Sequence, residues 1–91
     1  MDIRHNQSSG SGAFEAFVDG KKTGFMTYTL SGDKMSINHT EVDREFGGQG
    51  IGKALVDGAV EYARKEQLKI NPVCRFADRT LRSSDRYKDV L

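Results

Sequence analysis

The sequence of 91 residues contains no tryptophan, one cysteine and one proline. A lone cysteine cannot form an internal disulfide, which favours a reducing compartment and predicts a cytoplasmic location. The formal net charge is only +1, so the chain lacks the strongly basic surface of a nucleic-acid-binding protein. No apolar run approaches the roughly 20 residues of a membrane-spanning helix, and the opening MDIRHNQSSG has no apolar core of a secretory signal. We therefore expect neither a nucleic-acid partner nor a membrane partner.

The length predicts a single domain over residues 1–91, with one modest hydrophobic core. In the first half of the chain, β-rich runs alternate with turn-forming residues, which predicts an antiparallel meander. The predicted strands are Asp2–Asn6, Ala13–Val18, Thr23–Leu30 and Met35–Val42. Between the second and third strands, Asp19-Gly20 is a strong hairpin signal because both residue types tolerate a positive φ.

The spacing of the apolar residues becomes helical in the second half. The apolar positions on one helical stripe are Ile51, Leu55, Ala59, Tyr62 and Ala63. This stripe predicts an amphipathic helix that starts at Ile51 and ends near Lys65 to Gln67. The run LKINPVCRF, residues 68–76, predicts a fifth strand, and residues 77–91 predict a short helix with an irregular tail.

Glycine is concentrated where the long helix should begin. Gly47, Gly48, Gly50 and Gly52 fall within six positions, between the fourth strand and the helix. A glycine-rich turn from a strand into a helix presents free backbone N–H groups at the positive end of the helix dipole, which favours a phosphate ligand. The alternative is a helix start that simply needs an unusual backbone conformation.

Two common phosphate-binding motifs do not match this stretch. The P-loop needs Ser or Thr after its lysine, where the chain has Ala54, and no third glycine completes the dinucleotide fingerprint G-x-G-x-x-G. By contrast, GQGIGKALV resembles the pyrophosphate-binding segment of the GNAT superfamily of acetyl-CoA-dependent N-acetyltransferases. The whole chain, from about residue 2 to residue 91, is similar to the small single-domain proteins of that superfamily in four motifs taken together. These are HTEV at 39–42, GQGIG at 48–52, P-x-C at 72–74 and Y-x-D at 87–89.

The resemblance implies an α/β fold, the minimal acyl-CoA N-acyltransferase (GNAT) fold. This fold has a mixed, mainly antiparallel sheet of about five strands, with one long helix and one short helix. In it the fourth and fifth strands part, and the pantetheine arm of acetyl-CoA or coenzyme A lies in the gap. The backbone at Glu41 and Val42 is then implied to polarise the thioester carbonyl. The residues implied to bind the pyrophosphate are Gly47, Gly48, Gln49, Gly50, Ile51, Gly52 and Lys53.

The same resemblance implies an acetyl-CoA-dependent N-acetyltransferase, with Cys74 as a candidate for covalent chemistry. Cys74 stands at the predicted end of the fifth strand, facing the gap, where a thiolate can accept the acetyl group and pass it on. The alternative is a small hydrophobic residue that only packs in the core.

Three other residues are candidates for proton transfer. His39 can deprotonate the acceptor amine or the thiol, but strand alternation puts it on one face with Met35 and Ile37, which favours a core histidine. Glu41 can act as a base through water, or can be a solvated strand end. Tyr87 can protonate the departing coenzyme A thiolate, or can pack as an aromatic residue near the C-terminus. His39, Glu41 and Cys74 do not have the spacing of metal ligands, so we expect no metal.

The sequence leaves the acceptor open. Only QSSGSG, residues 7–12, joins the first two strands, where many GNAT enzymes have helices that shape the acceptor site. Such an exposed site suits a large amine acceptor, such as a protein or a polyamine. Gly47 stands where the pyrophosphate pattern usually has Arg or Gln. These features leave a second hypothesis open, a protein that binds coenzyme A or an acyl-CoA without turnover, as a sensor or interaction module.

Overall fold

The strands and helices follow one another in the predicted order. The computed structural model describes residues 1–91. The elements are β1 (Asp2–Ser8), β2 (Ser11–Val18), β3 (Lys21–Ser31), β4 (Lys34–Val42), α1 (Ile51–Lys65), β5 (Lys69–Pro72) and α2 (Arg75–Arg82). Short 3₁₀ segments at Arg44–Phe46 and Asp85–Val90 follow β4 and α2. The predicted long helix is therefore confirmed, with its end at Lys65.

The sheet is mixed and has the strand order β1-β2-β3-β4-β5. The first four strands pair with one another in antiparallel order, and β5 lies parallel to β4. Parallel neighbours need a crossover connection, which α1 supplies. At the β2–β3 turn, Asp19 and Gly20 have φ values of 52° and 81°, both positive as a type I′ hairpin requires. The predicted α/β fold with a mainly antiparallel five-stranded sheet is confirmed.

Both helices pack on one face of the sheet, and the core lies between them and the strands. α1 buries its apolar stripe there, and α2 adds Ala77 and Leu81. The buried residues of the strands are Phe14, Ala16, Thr23, Gly24, Met26, Tyr28, Met35, Ile37 and Ile70. The opposite face stays open, because no helix covers it and its large side chains, such as Phe17 and Phe25, are only half-buried. Neither helix combines the length and the apolar character that crossing a bilayer demands.

β4 contains an irregularity that the sequence did not reveal. Thr27 of β3 pairs with His39, whereas the next residue, Tyr28, pairs with Ile37, so Asn38 is an extra residue in β4. A β-bulge of this kind reverses the alternation of side chains beyond it. Ile37 is buried, but His39 is exposed on the open face of the sheet. The prediction that His39 shares a face with the buried residues before it is therefore wrong.

β5 is shorter than the predicted strand over residues 68–76. It ends at Pro72, and α2 already begins at Arg75. Proline has no N–H to donate to the ladder, and beyond it the Cys74 amide donates to the Ile37 carbonyl at 3.0 Å. The chain then turns into α2. As a result, the second half of β4 has no neighbour on the β5 side.

Candidate functional site

A cleft of about 640 Å³ opens between the unpaired half of β4, the start of α1 and one side of α2. Its volume is typical of a site for a small molecule or cofactor. The lining residues are Thr40, Val42, Phe46, Gly47, Gly48, Gly50, Ile51, Gly52, Lys53, Phe76, Arg79, Thr80 and Ser83. Every residue predicted to bind a pyrophosphate lines this cleft except Gln49, which is exposed between two of the glycines.

α1 begins without a side-chain cap. Gly50 is its N-cap residue, and no side chain accepts a hydrogen bond from the first turn. Six consecutive backbone N–H groups, from Gly48 to Lys53, have no acceptor within the protein. Gly48 and Gly50 have φ values of 79° and 77°, and no atom lies within 4 Å of the place where a Cβ would stand on either. The first turn of α1 therefore presents a set of free donors to open space, which is an arrangement that binds anions.

The free edge of β4 offers backbone groups to the same cleft. The Asp43 amide donates to the Thr23 carbonyl of β3 at 2.8 Å. Because the amides of a strand point alternately to its two sides, those of Thr40 and Val42 point to the side that β5 has left. Of the predicted pair Glu41 and Val42, this alternation directs the Val42 amide into the gap. An extended ligand can pair with such an edge as an added strand would.

Cys74 lies where β4 and β5 part. It is the N-cap residue of α2, and its sulfur accepts a hydrogen bond from the Ala77 amide at 3.3 Å. The sulfur is also 3.5 Å from the hydroxyl oxygen of Thr40, which lines the cleft. Cys74 is half-buried and is not itself part of the lining. The thiol is therefore separated from the cleft by one contact, through the Thr40 side chain.

The second wall of the cleft comes from α2 and was not predicted from the sequence. Phe76, Arg79, Thr80 and Ser83 line it, at the i, i+3, i+4 and i+7 spacing of one helical stripe. This spacing is visible in the sequence, but the strand predicted over residues 68–76 obscured it. The Phe76 ring lies against the first turn of α1, since a Cβ on Gly52 would be 2.6 Å from the tip of that ring. Glycine at position 52 therefore allows the two walls to approach closely.

Cations, but no carboxylates, line the cleft. Its charged residues are Lys53 and Arg79. The Lys53 ammonium is 3.0 Å from the Asp57 carboxylate, one turn further along α1, and this hydrogen bond raises the pKa of Lys53. Arg79 forms no ion pair. No group of three or more His, Cys, Asp or Glu side chains is close enough together to hold a metal ion.

Tyr87 lies outside the cleft, in the segment that follows α2. Only 2% of it is exposed, and its hydroxyl donates to the Asp57 carboxylate at 2.6 Å. Burial raises the pKa of Tyr87, and the hydrogen bond to the carboxylate raises it further. Burial alone would raise the pKa of Asp57, but the hydrogen bonds from Tyr87 and Lys53 outweigh it and hold that pKa below its ordinary value. Tyr87 thus ties the C-terminal segment to α1.

His39 and Glu41 lie on the open face of the sheet, opposite the cleft. The His39 Nε2 atom is 3.7 Å from the Glu41 carboxylate, and 57% and 63% of the two side chains are exposed. The His39 ring centroid lies 5.7 Å from that of Phe25. The structure therefore brings His39 and Glu41 together on one side of β4, and Cys74 and Thr40 together on the other.

The last two strands of the sheet, β4 and β5, part beside an uncapped, glycine-rich helix start. This combination is typical of a class of protein that binds an extended anionic ligand in such a gap. The family model of GCN5-related N-acetyltransferases matches residues 13–90, and the chain belongs to this family. The resemblance found in the sequence is thereby confirmed.

Several solved structures share the fold. A GCN5-like candidate N-acetyltransferase from Staphylococcus aureus is 35% identical to this chain, with a TM-score of 0.73. The match covers 96% of this chain and 85% of that protein. The ribosomal-protein-alanine N-acetyltransferase of Brucella melitensis is 26% identical over 70% of this chain, with a TM-score of 0.66, and the chain spans only 50% of that enzyme. A candidate streptothricin acetyltransferase of Bacillus anthracis, solved with acetyl coenzyme A, is 20% identical to this chain, with a TM-score of 0.63. That match covers 70% of this chain and 38% of the acetyltransferase. No curated protein matches the chain.

Proposed function

We propose that this protein binds acetyl-CoA in the cleft and transfers its acetyl group to an amine. The observation that carries the proposal is the coincidence, in one cleft, of an unpaired strand edge with six free N–H groups at a helix start. A relative of the same fold from Bacillus anthracis holds acetyl coenzyme A, and one from Thermoplasma acidophilum holds coenzyme A. Acetyl-CoA supplies an acetyl group activated as a thioester.

The chain's own backbone would bind and orient this donor. The N–H groups from Gly48 to Lys53 bind the pyrophosphate at the positive end of α1. The β4 edge pairs with the pantetheine arm, and the Val42 amide donates to the thioester carbonyl, on which negative charge develops during acyl transfer. No carboxylate lines the cleft, so no negative side chain there repels the phosphates.

Cys74 offers a route through a covalent intermediate. Its thiolate attacks the thioester carbon, the new C–S bond replaces the old one, and the coenzyme leaves as a thiolate that takes a proton from solvent. The neutral acceptor amine then attacks the acetyl group on Cys74. An amide forms, the cysteine sulfur is released, and the proton lost from nitrogen passes to a base. An amine that enters the gap between β4 and β5 from the uncovered face of the sheet meets Glu41 and His39, which are the candidates for that base.

The acceptor would be large. The connection between β1 and β2 is a tight turn at residues 9–10, so no helix forms a wall around an acceptor at that point. A protein amine or a polyamine can reach such an open site, whereas a small substrate would be held by few contacts. Among relatives of this fold, the Brucella enzyme is named for the alanine of a ribosomal protein, and a soil metagenomic enzyme was solved with the aminoglycoside sisomicin.

Intact-protein mass spectrometry with acetyl-CoA, followed by thiol release with a panel of protein amines and polyamines, tests this function. We expect coenzyme release that depends on the amine, and an acetyl adduct on the protein. Glu41→Gln should slow transfer to the amine, by about 100-fold for a general base, while the affinity for coenzyme A stays unchanged. Binding of acetyl-CoA without release of thiol toward any amine would instead support a coenzyme sensor.

Thermal unfolding tests the choice of ligand. Coenzyme A and acetyl-CoA should raise the melting temperature, because a ligand at about 100 times its Kd stabilises the folded state by about 2.7 kcal/mol. ATP and NAD should act much more weakly, since neither carries a pantetheine arm for the β4 edge. Equal shifts with ATP and acetyl-CoA would argue against the gap as the binding site.

A further inference from the structure

Arg79 is the one charged residue of the cleft that nothing in the protein neutralises. Lys53, the other cation there, is paired with Asp57 at 3.0 Å. On α2 itself, Arg82 lies outside the cleft lining and is paired with Asp78 at 2.7 Å. The chain has 13 acidic residues for 14 basic ones, yet none of the acidic residues lines this cleft. Arg79 is exposed at the cleft, so water solvates its guanidinium in the free protein and leaves the N–H donors available to an anionic ligand in the cleft.

The fold places Arg79 opposite the first turn of α1. The Phe76 ring lies against Gly52, so this contact fixes the separation of the two helices at the cleft. Arg79 follows Phe76 by three residues on the same helical stripe, and therefore lines the wall across from the free N–H groups of Gly48 to Lys53. A guanidinium presents several N–H donors in a planar fork that matches the oxygens of a phosphate.

We propose that Arg79 binds a phosphate group of the coenzyme from the α2 side, and so makes the protein select the phosphorylated coenzyme over a bare pantetheine thiol. This inference rests on the proposed function. The phosphate is either part of the pyrophosphate or the 3′-phosphate of the adenosine, because both carry the charge that Arg79 recognises. Arg79 is thus a specificity-determining residue rather than a catalytic one.

Calorimetric titration of three ligands into three proteins tests this assignment. The ligands are coenzyme A, 3′-dephospho-coenzyme A and pantetheine, and the proteins are the wild type, Arg79→Ala and Arg82→Ala. Arg82→Ala is the matched control, since it removes the same side chain from the same helix outside the cleft. Arg79 is exposed and has no partner, so its loss should leave the melting temperature of the free protein nearly unchanged.

We expect Arg79→Ala to weaken the binding of coenzyme A by about 10-fold to 100-fold, the range for losing a charged hydrogen bond. Arg82→Ala should stay within about twofold of wild type, since exposed ion pairs contribute little. Pantetheine should bind the wild type and Arg79→Ala equally. If Arg79→Ala also binds 3′-dephospho-coenzyme A more weakly than wild type does, the partner of Arg79 is the pyrophosphate. If only the affinity for coenzyme A falls, the partner is the 3′-phosphate.

The inference is overturned if Arg79→Ala binds coenzyme A as well as wild type does, or if its loss of affinity extends fully to pantetheine. An equal loss in Arg82→Ala would also overturn it, because the effect would then be that of net charge. These outcomes differ from a failure of the proposed function, in which the wild-type protein itself does not bind coenzyme A.

Discussion

The two helices begin beside the same cleft, but their first turns are completed in different ways. α1 starts at Gly50 and leaves the N–H groups from Gly48 to Lys53 without acceptors. α2 starts at Cys74, whose sulfur accepts the Ala77 amide at 3.3 Å. Side chains usually satisfy such donors, so the open start is the exception. This difference supports the proposal that the first turn of α1 binds an external anion, whereas the first turn of α2 is completed by the fold itself and carries the thiol.

Replacing Cys74 changes the capped start and should have the largest effect. Cys74→Ala removes the only thiol, so the acetyl adduct expected from acetyl-CoA should be lost completely, while the affinity for coenzyme A stays close to wild type. The lost cap should also lower the free energy of unfolding by about 0.5–1 kcal/mol. Mass spectrometry of the intact protein and chemical denaturation measure the two effects.

Cys74→Ser separates these two roles. Its hydroxyl can accept from the Ala77 amide, so stability should return toward wild type, but an oxygen at this position should not form the adduct. If Cys74→Ala acetylates amines at the wild-type rate, the thiol is only a cap and transfer to the amine is direct.

Filling the open start should have the next largest effect. In Gly50→Val, a β-branched side chain would occupy the empty space above α1 and force a residue with φ of 77° into strain. We expect coenzyme A affinity to fall by about 100-fold or more, since several charge-assisted hydrogen bonds are blocked at once. Calorimetric titration at a temperature where the variant is fully folded measures this loss, and pantetheine, which lacks phosphates, should be affected less.

Gly10→Val is the matched control for this variant. Gly10 has the same φ of 77° and the same open surroundings, but it lies in the β1–β2 turn. Both substitutions should destabilise the fold by about 1–2 kcal/mol. Only the substitution at Gly50 should lower the affinity for coenzyme A. Wild-type affinity in folded Gly50→Val would show that the phosphates bind elsewhere.

Removing a hydrogen bond to α1 at a point outside its first turn should have the smallest effect. Tyr87→Phe removes the hydrogen bond to Asp57 and should lower the free energy of unfolding by about 1 kcal/mol at neutral pH, because Lys53 still pairs with this partly exposed carboxylate. Acetyl transfer should be unchanged, since Tyr87 does not line the cleft. A large loss of transfer with normal stability would restore Tyr87 as the proton donor.

The same variant has a defined dependence on pH. The pKa of Asp57 is lower in the folded protein than in the unfolded chain, so its contribution is fully present above the ordinary carboxyl pKa. This contribution is lost as the pH falls through the depressed folded pKa. The stability difference between wild type and Tyr87→Phe should therefore shrink in that acidic range, as denaturation curves at several pH values would show.

Local patterns predicted most of the fold because their physical causes are local. The Asp19-Gly20 turn needs only two residues that adopt positive φ, and α1 needs only its apolar spacing. The glycine-rich helix start was also recognisable, because its free N–H groups follow from the backbone near one helix end. The bulge at Asn38 was not predictable in this way, since it exists only in the pairing of β4 with β3.

The sequence by itself therefore determined the order of the elements, the hairpins, the amphipathic helix and the open first turn of α1. Only the tertiary structure decided which residues meet. The bulge directs Thr40 to the cleft and His39 to the open face, and the break after Pro72 brings α2 and Arg79 across from α1. The physical reason is range: turns and helices follow from neighbouring residues, whereas strand register and the approach of two helices depend on residues far apart in the chain.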